Sequence, residues 1–365
     1  MITISLCMIV KNEEAVLGRC LDSVANLVDE IIILDTGSTD STKSIAAQYT
    51  NQIFDFNWIE DFSAARNAAF TKATMDYILW LDADDVLETD DQMKFGTLKE
   101  DLDTTVDSVT MKYHLAFDED GNVSFSTRRN RLVKRANNFQ WIGAVHEYLE
   151  IWGNIMHSDI AITHKSLHHD SDRNLKIYEK RLEQGEEFSP RDLYYFANEL
   201  LDHQMYERAA TFYEKFLSEG KGWVEDNISS CGKLADCYHA LGDYEQELQA
   251  VLRSFRYGSA RAEFCCRLGY YFIDQGDLTS AIFWYKLATQ VGRQENHPGF
   301  LNPAFSTWLP HLQLCVCYDR LGMHKLAYLH NEVARQYRPK DCKILQNQKF
   351  LEALLQEKND LVNKN

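Results

Sequence analysis

The 365-residue chain reads as two domains. An α/β domain with a mainly parallel sheet covers residues 1–170, and an all-α domain of helical repeats with a capping helix covers 171–365. Three observations predict this. The length suits two domains at roughly 150 residues each. The first half alternates short, almost uninterrupted apolar runs with helical segments, the rhythm of strands buried on both faces and joined by crossover helices. The second half repeats a pattern of large residue, turn residue and small residue, as stacked helix pairs do.

The first apolar run, Ile2–Val10, is the first strand. Glu13–Ala25 reads as a helix and Glu30–Leu34 as a second strand that ends in Asp35-Thr36-Gly37-Ser38. Ser38 or Thr39 is placed to cap a helix running to about Tyr49, with Asp40 in its first turn. Ile53–Phe56 is a short strand, Phe62–Thr74 a helix and Tyr77–Leu81 a further buried strand. Ligands on such sheets sit beyond the carboxyl ends of the strands. Three polar stretches fall there: Lys11-Asn12-Glu13, Asp35-Thr36-Gly37-Ser38 and Asp82-Ala83-Asp84-Asp85. From Ser108 the pattern turns to strands, with Val109–Phe117 and Val123–Val133 flanking Asp118-Glu119-Asp120-Gly121-Asn122 as a hairpin. Asp159–Thr163 then delivers His164 to a strand end, and the polar run His168-His169-Asp170-Ser171-Asp172 marks the domain boundary.

In the second half four segments align: Phe196–Ala209, Leu234–Glu247, Leu268–Ala281 and Leu314–Ala327. Each opens on a large apolar residue and carries Gln204, Gly242, Gly276 or Gly322 at the same later position. Leu-Gly-Asp-Tyr at 241–244 and Gln-Gly-Asp-Leu at 275–278 resemble the inter-helix turn of tetratricopeptide repeats. Asp341–Lys358 is the expected capping helix. Trp223, Trp284 and Trp308 sit at helical spacing and read as core rather than as a sugar-binding surface.

The net charge is −17, and residues 1–170 hold 14 Lys and Arg against 28 Asp and Glu. So acidic a first half argues against a nucleic-acid partner and suits recruitment of a divalent cation. No apolar run reaches the ~18–20 residues of a membrane span, and the first residues lack the basic start of a signal peptide. A cytoplasmic protein without a transmembrane segment is therefore expected, its nine cysteines reduced and mostly buried. The absence of any Cys-x-x-Cys pair argues against structural zinc.

The sharpest chemical signal is Trp80-Leu81-Asp82-Ala83-Asp84-Asp85. Carboxylates in an Asp-x-Asp at a strand end can hold Mg²⁺ or Mn²⁺ against a diphosphate. Ahead of it, in order, come Cys7-Met8-Ile9-Val10-Lys11-Asn12-Glu13-Glu14, Ile33-Leu34-Asp35-Thr36-Gly37-Ser38-Thr39-Asp40 and Ala65-Arg66-Asn67-Ala68-Ala69. These four motifs in this order resemble family 2 glycosyltransferases of the GT-A fold over residues 2–165. With repeats behind them, the layout resembles the sublancin S-glycosyltransferase group. The resemblance implies that Asn12 and Glu13 lie beside the nucleotide base. It implies that Asp35 faces the uridine within the turn Thr36-Gly37-Ser38, and that Arg66, supported by Asn67, reaches the nucleotide. Asp82 and Asp84 match the metal motif, the second Asp making the direct contact, and His164 occupies the place of a third metal ligand, a role for which His157, His168 and His169 compete. Helix capping is the plainer reading of Asp35 and Thr39-Asp40, and a surface position that of Arg66.

The second cluster is Phe139-Gln140-Trp141-Ile142-Gly143-Ala144-Val145-His146-Glu147. Inverting sugar transfer needs a base near the acceptor. Enzymes of this fold commonly place an acid in this stretch, which implies Glu147 as base and Trp141 as an aromatic platform under the sugar. His146 competes, since an unperturbed pKa near ~6.5 also suits a base. Arg128, Arg129 and Arg131 on the hairpin can meet a diphosphate or simply be solvated.

The expected function is metal-dependent inverting transfer of a sugar from a UDP-sugar to a peptide or protein side chain. The repeats offer a groove for that acceptor, for another protein or for a second copy in a homodimer. A sugar nucleotidyltransferase is the alternative enzyme, but Lys11-Asn12-Glu13-Glu14 has no glycine for its phosphate loop. A non-catalytic scaffold is the third reading, opposed by the joint presence of Asp35, Arg66, Asp82 and Asp84.

Overall fold

The computed structural model describes residues 1–117, 123–167, 172–291 and 302–362, with side chains to residue 356. The expected hairpin turn 118–122 and residues His168, His169 and Asp170 lie outside the described residues. The chain divides into two compact units, Met1–Glu186 and Glu187–Asn365. The break falls later than the polar run suggests, because the amphipathic helix that follows this run belongs to the first unit.

In the first unit the elements are β1 (Ile4–Val10), α1 (Leu17–Val24), β2 (Glu30–Asp35), α2 (Thr42–Ala46), β3 (Ile53–Asp55), α3 (Phe62–Phe70), β4 (Tyr77–Trp80), β5 (Asp85–Val86) and α4 (Thr89–Asp101). Then come β6 (Ser108–Phe117), β7 (Val123–Lys134), β8 (Trp141–Ile142), β9 (Tyr148–Leu149), β10 (Ile155–His164) and α5 (Asp172–Glu183). Eight strands form one sheet in the order β3-β2-β1-β4-β7-β6-β10-β5, and β8 pairs with β9 separately. The first four are mutually parallel, β7 runs antiparallel between β4 and β6, and β10 is parallel to β6.

Burial on both faces explains the unbroken apolar runs. Leu6, Met8 and Val10 of β1 pack with Leu17, Leu21 and Phe95 on one side, while Cys7 packs with Ile32, Ala65, Ala69 and Trp80 on the other. Buried Glu30 ties the lower edge, accepting from Ser5 Oγ, Gln52 Nε2 and both donors of Thr74.

The second unit is helical: α6 (Pro190–Asp202), α7 (Tyr206–Glu219), α8 (Val224–Leu241), α9 (Tyr244–Arg253), α10 (Ala262–Asp274), α11 (Leu278–Gln290), α12 (Trp308–Arg320), α13 (His324–Tyr337) and α14 (Cys342–Val362). The four aligned segments each span one helix pair. Phe196, Leu234, Leu268 and Leu314 are buried, as are Ala209, Glu247, Ala281 and Ala327. Gln204, Gly242, Gly276 and Gly322 all sit between paired helices at φ of 59°, 75°, 74° and 72°. The left-handed turn is thus the shared requirement, and glycine meets it without the steric cost that Gln204 bears.

Eight of the nine cysteines are buried and all are free thiols, with Cys342 exposed. No helix among the described residues is long and apolar enough to cross a membrane.

Candidate active site

The carboxyl ends of β1, β2 and β4 bring the three polar stretches to one edge of the sheet. There the loops after β1 and β2 are tied to each other. Asn12 Oδ1 accepts from Thr39 N at 2.8 Å and Asn12 N donates to Ser38 Oγ at 2.9 Å. Glu13 N donates to Thr42 Oγ1, Glu14 N to Asp40 Oδ2, and Ser41 N to Glu14 Oε2. The expected cap of α2 is therefore corrected. Ser38 and Thr39 are spent on the neighbouring loop, and the helix begins only at Thr42.

Asp35 is 1% exposed. Its Oδ2 accepts from Gly37 N and Ser38 N, both at 3.0 Å, and Lys43 Nζ lies 3.5 Å away. Burial would raise its carboxyl pKa, but these donors and the lysine hold it below the ordinary value. Asp35 Oδ1, by contrast, is buried without a hydrogen-bond partner. A buried carboxylate oxygen with an open lone pair is a ready acceptor for a ligand N–H. Gly37 takes φ 104°, which lets the turn double back under Asp35.

Arg66, from α3, stands at the centre of the second cluster. Its Nη2 donates to Asp82 Oδ1 at 2.7 Å and its Nε to Glu147 Oε1 at 2.6 Å. The guanidinium lies over the rings of Trp80 and Trp141, 5.0 and 4.8 Å from their centroids. Burial opposes the ionisation of Asp82, yet Arg66 and Arg131 outweigh it and draw its pKa down to about 2. The expected support of Arg66 by Asn67 is not what the fold makes. Asn67 clamps the backbone of Trp141 instead, donating to its carbonyl at 3.0 Å and accepting from its N–H at 2.8 Å.

Trp141 is corrected as a sugar platform. At 5% exposed it packs edge-on against Trp80 and Phe70, so its ring faces are consumed by core and by Arg66. Its Nε1 is buried without a partner. His146 and Glu147 follow on the β8–β9 turn, where His146 takes a left-handed φ of 51° that costs a non-glycine residue roughly 1 kcal/mol or more. Both line a cleft of about 300 Å³ together with Arg66, Trp80, Asp82, Tyr113, Arg128, Arg129, Asn130, Arg131, Trp141, Tyr148 and Leu149.

A metal-competent cluster lies beside this cleft. Asp84, Asp85 and His164 offer ligand atoms that are all within 4.8 Å of one another. β5 pairs antiparallel with β10 and sets Asp85 opposite His164. His164 Nδ1 is 3.3 Å from Asp84 Oδ1, 3.5 Å from Asp85 Oδ1 and 2.9 Å from Tyr113 Oη. Its contact with Asp84, then that with Asp85, raises its pKa to about 10. Asp85 Oδ1 is buried without a hydrogen-bond partner. Two carboxylates, one of them with an orphaned oxygen, and an imidazole are a donor set that would fit a divalent cation, whose binding would release the imidazole proton. The structure thus joins the expected Asp84 and His164 and adds Asp85, while Asp82 is engaged by Arg66.

The Asp-x-Asp spacing marks Asp82 and Asp84 but carries no signal for Asp85. Only the β5–β10 pairing reveals it. Beneath it Arg131, fully buried, pairs with Asp85 at 2.9 Å and lies over Trp80 and Tyr113. This removes Arg131 from the arginines available to a diphosphate. Glu13 is half-buried, and burial together with the charge of Asp84 pushes its pKa up to about 7. That links the first loop electrostatically to the acidic cluster.

Comparison with known proteins agrees with this geometry. Residues 5–149 match the model for Glycosyl transferase family 2, and residues 262–291 that for a tetratricopeptide repeat. A family 2 glycosyltransferase domain therefore occupies the first unit and tetratricopeptide-type repeats the second. The SPbeta prophage-derived glycosyltransferase SunS of Bacillus subtilis is 27% identical over 60% of this chain and 54% of its own length. A TPR repeat-containing protein of Synechococcus elongatus is 53% identical over 24% of this chain and 22% of its own length. An uncharacterized glycosyltransferase of Rickettsia felis is 36% identical over 25% and 33%. The chain thus spans about half the length, or less, of these curated relatives.

Proposed function

We propose that the chain is a glycosyltransferase that moves a sugar from a UDP-sugar to a peptide or protein side chain with inversion. The observation that carries the reading is the convergence at one sheet edge of three things: the open oxygen of Asp35, the Asp84–Asp85–His164 cluster, and Glu147 in the adjoining cleft. Asp35 Oδ1 accepts a base N–H, and the tied loops bearing Asn12, Glu13 and Thr36-Gly37-Ser38 wall the nucleoside site. Asp84 and His164, with Asp85, hold Mg²⁺ or Mn²⁺. Such a cation neutralises the charge that grows on the departing diphosphate, an effect worth several kcal/mol.

Glu147 takes the proton from the acceptor as the new bond to the sugar forms, a role typically worth ~10²–10⁴-fold. Arg66 engages Glu147 through Oε1 only, which leaves Oε2 to face the acceptor. The same guanidinium keeps Asp82 and Glu147, two carboxylates of one cleft, from repelling each other. His146 neighbours the base on the same turn and is the competing proton acceptor. The repeats supply the recognition of the acceptor, as stacked helix pairs present an extended surface to peptides.

The test is a panel of sugar nucleotides incubated with the full chain and Mn²⁺, scored for release of the nucleoside diphosphate. UDP released from one UDP-sugar, and lost on chelation, is the expected result. Release unaffected by chelator would remove the metal from the reading. Turnover of sugar phosphate and nucleoside triphosphate instead would make the protein a nucleotidyltransferase.

A further inference from the structure

Charge in the cleft beside Glu147 has the opposite sign to that of its surroundings. Residues 1–170 carry 14 basic against 28 acidic side chains, yet three arginines, Arg128, Arg129 and Arg131, fall within four positions of β7 and all line this cleft. Its acids already have cations, since Asp82 and Glu147 share Arg66 and the Asp85 behind them holds Arg131. Arg128 donates to the Ser158 carbonyl at 2.8 Å and to Thr110 Oγ1 at 3.3 Å, both neutral. Arg129 is exposed, and its side chain makes no hydrogen bond or ion pair among the described residues. The buried indole N–H of Trp141 and the Nε and Nη2 of buried Arg131 also belong to cleft-lining residues and lack acceptors among the described residues. The cleft is therefore rich in donors: among its described arginines Arg128 has only neutral partners, and the Arg129 side chain has none.

The donor's diphosphate is accounted for elsewhere. Asp84, Asp85 and His164, the cluster suited to a cation and its phosphates, do not line this cleft, whereas the base Glu147 does. An anion lodged at Arg129 thus arrives with the molecule that Glu147 deprotonates. Resting on the transferase reading above, we propose that the acceptor is an acidic peptide. Arg129 binds a carboxylate that flanks the modified side chain and so selects the acceptor by charge. A planar guanidinium with all its N–H groups uncommitted can take a carboxylate in two parallel hydrogen bonds.

The test is direct binding, independent of turnover. Two fluorescein-labelled peptide libraries, centred on Ser, Thr or Cys, carry either Glu or Gln at the flanking positions and are titrated against the full chain by polarisation. The Glu library is expected to bind at least about fivefold tighter at low salt, with the difference shrinking as salt rises. In Arg129→Gln the ratio is expected to fall to about one, and in Arg129→Glu a Lys-flanked library is expected to overtake the Glu library. These exposed substitutions disturb no packing, and Arg129→Lys, which keeps the charge and loses the fork, is expected to lie between. Equal binding of the two libraries by the unaltered chain, or a preference that survives Arg129→Gln, overturns the proposal. So does a loss in Arg129→Gln of affinity for UDP with the Glu preference intact, which would make Arg129 a diphosphate ligand. Sugar-nucleotide turnover is scored in parallel. Its absence would sink the transferase reading, while the binding ratio alone decides the charge of the peptide.

Discussion

One group of ion pairs in the first unit converges, whereas those that tie the helices of the second are strung out along the repeats. Around one sheet edge Arg66 joins Asp82 and Glu147, Arg131 joins Asp85, and His164 joins Asp84. Among the helices Arg253 pairs with Glu214, Arg261 with Glu225, and Arg267 with Asp236, each tie linking neighbouring helix pairs. A repeat array gains from fastening each unit to the next, so its charges are spread with the contacts. A site gains from concentrating charge where a reaction needs it, and then requires a rigid core to hold groups that would otherwise repel or solvate. The same residue types thus serve adhesion in one unit and chemistry in the other.

The most severe break in this contrast comes from removing charge at the convergent edge. Glu147→Gln keeps the bond from Arg66 and loses the base, so kcat is expected to fall by about 10²–10⁴-fold while UDP-sugar affinity stays within about twofold. His146→Ala is the paired variant. Near-normal turnover in Glu147→Gln beside a dead His146→Ala would exchange the two roles. Asp84→Asn is expected to cost at least about 10²-fold in transfer and to weaken Mn²⁺ binding, measured by calorimetry. Unchanged metal affinity would exclude Asp84 as a ligand.

Next in size is a loss of stability. Arg131→Leu leaves Asp85 charged and buried, at an expected cost of about 3–5 kcal/mol in denaturant unfolding. The double variant Arg131→Leu/Asp85→Leu should recover much of it. If both cost the same, the pair is not what makes Asp85 tolerable in the core.

Smaller effects sharpen the view of the second unit as packing. A Cβ at Gly269 of α10 would stand 2.7 Å from the ring of buried Tyr285. Gly269→Ala should therefore destabilise by about 1–2 kcal/mol despite the gain in helix propensity, without altering release of UDP from the donor.

The smallest effect is on pH dependence. Burial, and then the neighbouring His311 2.9 Å away, lower the pKa of His330 to about 4. The unfolded chain then binds more protons than the native one between about pH 6.5 and 4, so this contribution to stability is complete above pH 6.5 and is lost as pH falls. His330→Phe should flatten the acid limb of a melting-temperature profile by of order 1 kcal/mol. An unchanged profile would show that the imidazole is not held neutral.

Apolar periodicity made the strands legible because a strand buried on both faces must be apolar throughout. Ile4–Val10, Glu30–Asp35 and Tyr77–Trp80 accordingly fall where the runs do. The repeats were legible for a matching reason, since every pair needs the same left-handed turn after the same buried leucine or phenylalanine. Helix α4 was not anticipated, because Thr89–Asp101 is mostly polar and shows only a narrow buried face at Asp91, Phe95 and Leu98. The candidate site was half visible. Asp35, Arg66, Asp84, Glu147 and His164 stand at the edge the motifs indicated, because a strand's end is set by where its apolar run stops.

What local sequence cannot carry is the identity of partners across the chain. Arg66 meets Glu147 across 81 positions and Trp141 meets Asn67 across 74, and neither spacing leaves a trace in local pattern. Whether Trp141 offers its ring to a sugar or surrenders it to the core depends on Trp80 and Phe70 closing over it. Likewise Asp85 becomes a ligand candidate only when β10 folds back beside it. Sequence alone determined the parallel sheet, the helical repeats and the chemical character of each strand end, because these follow from periodicity within a few residues. Tertiary structure decided which carboxylate is free, which is paired and which is orphaned, because burial and charge pairing are properties of the assembled fold.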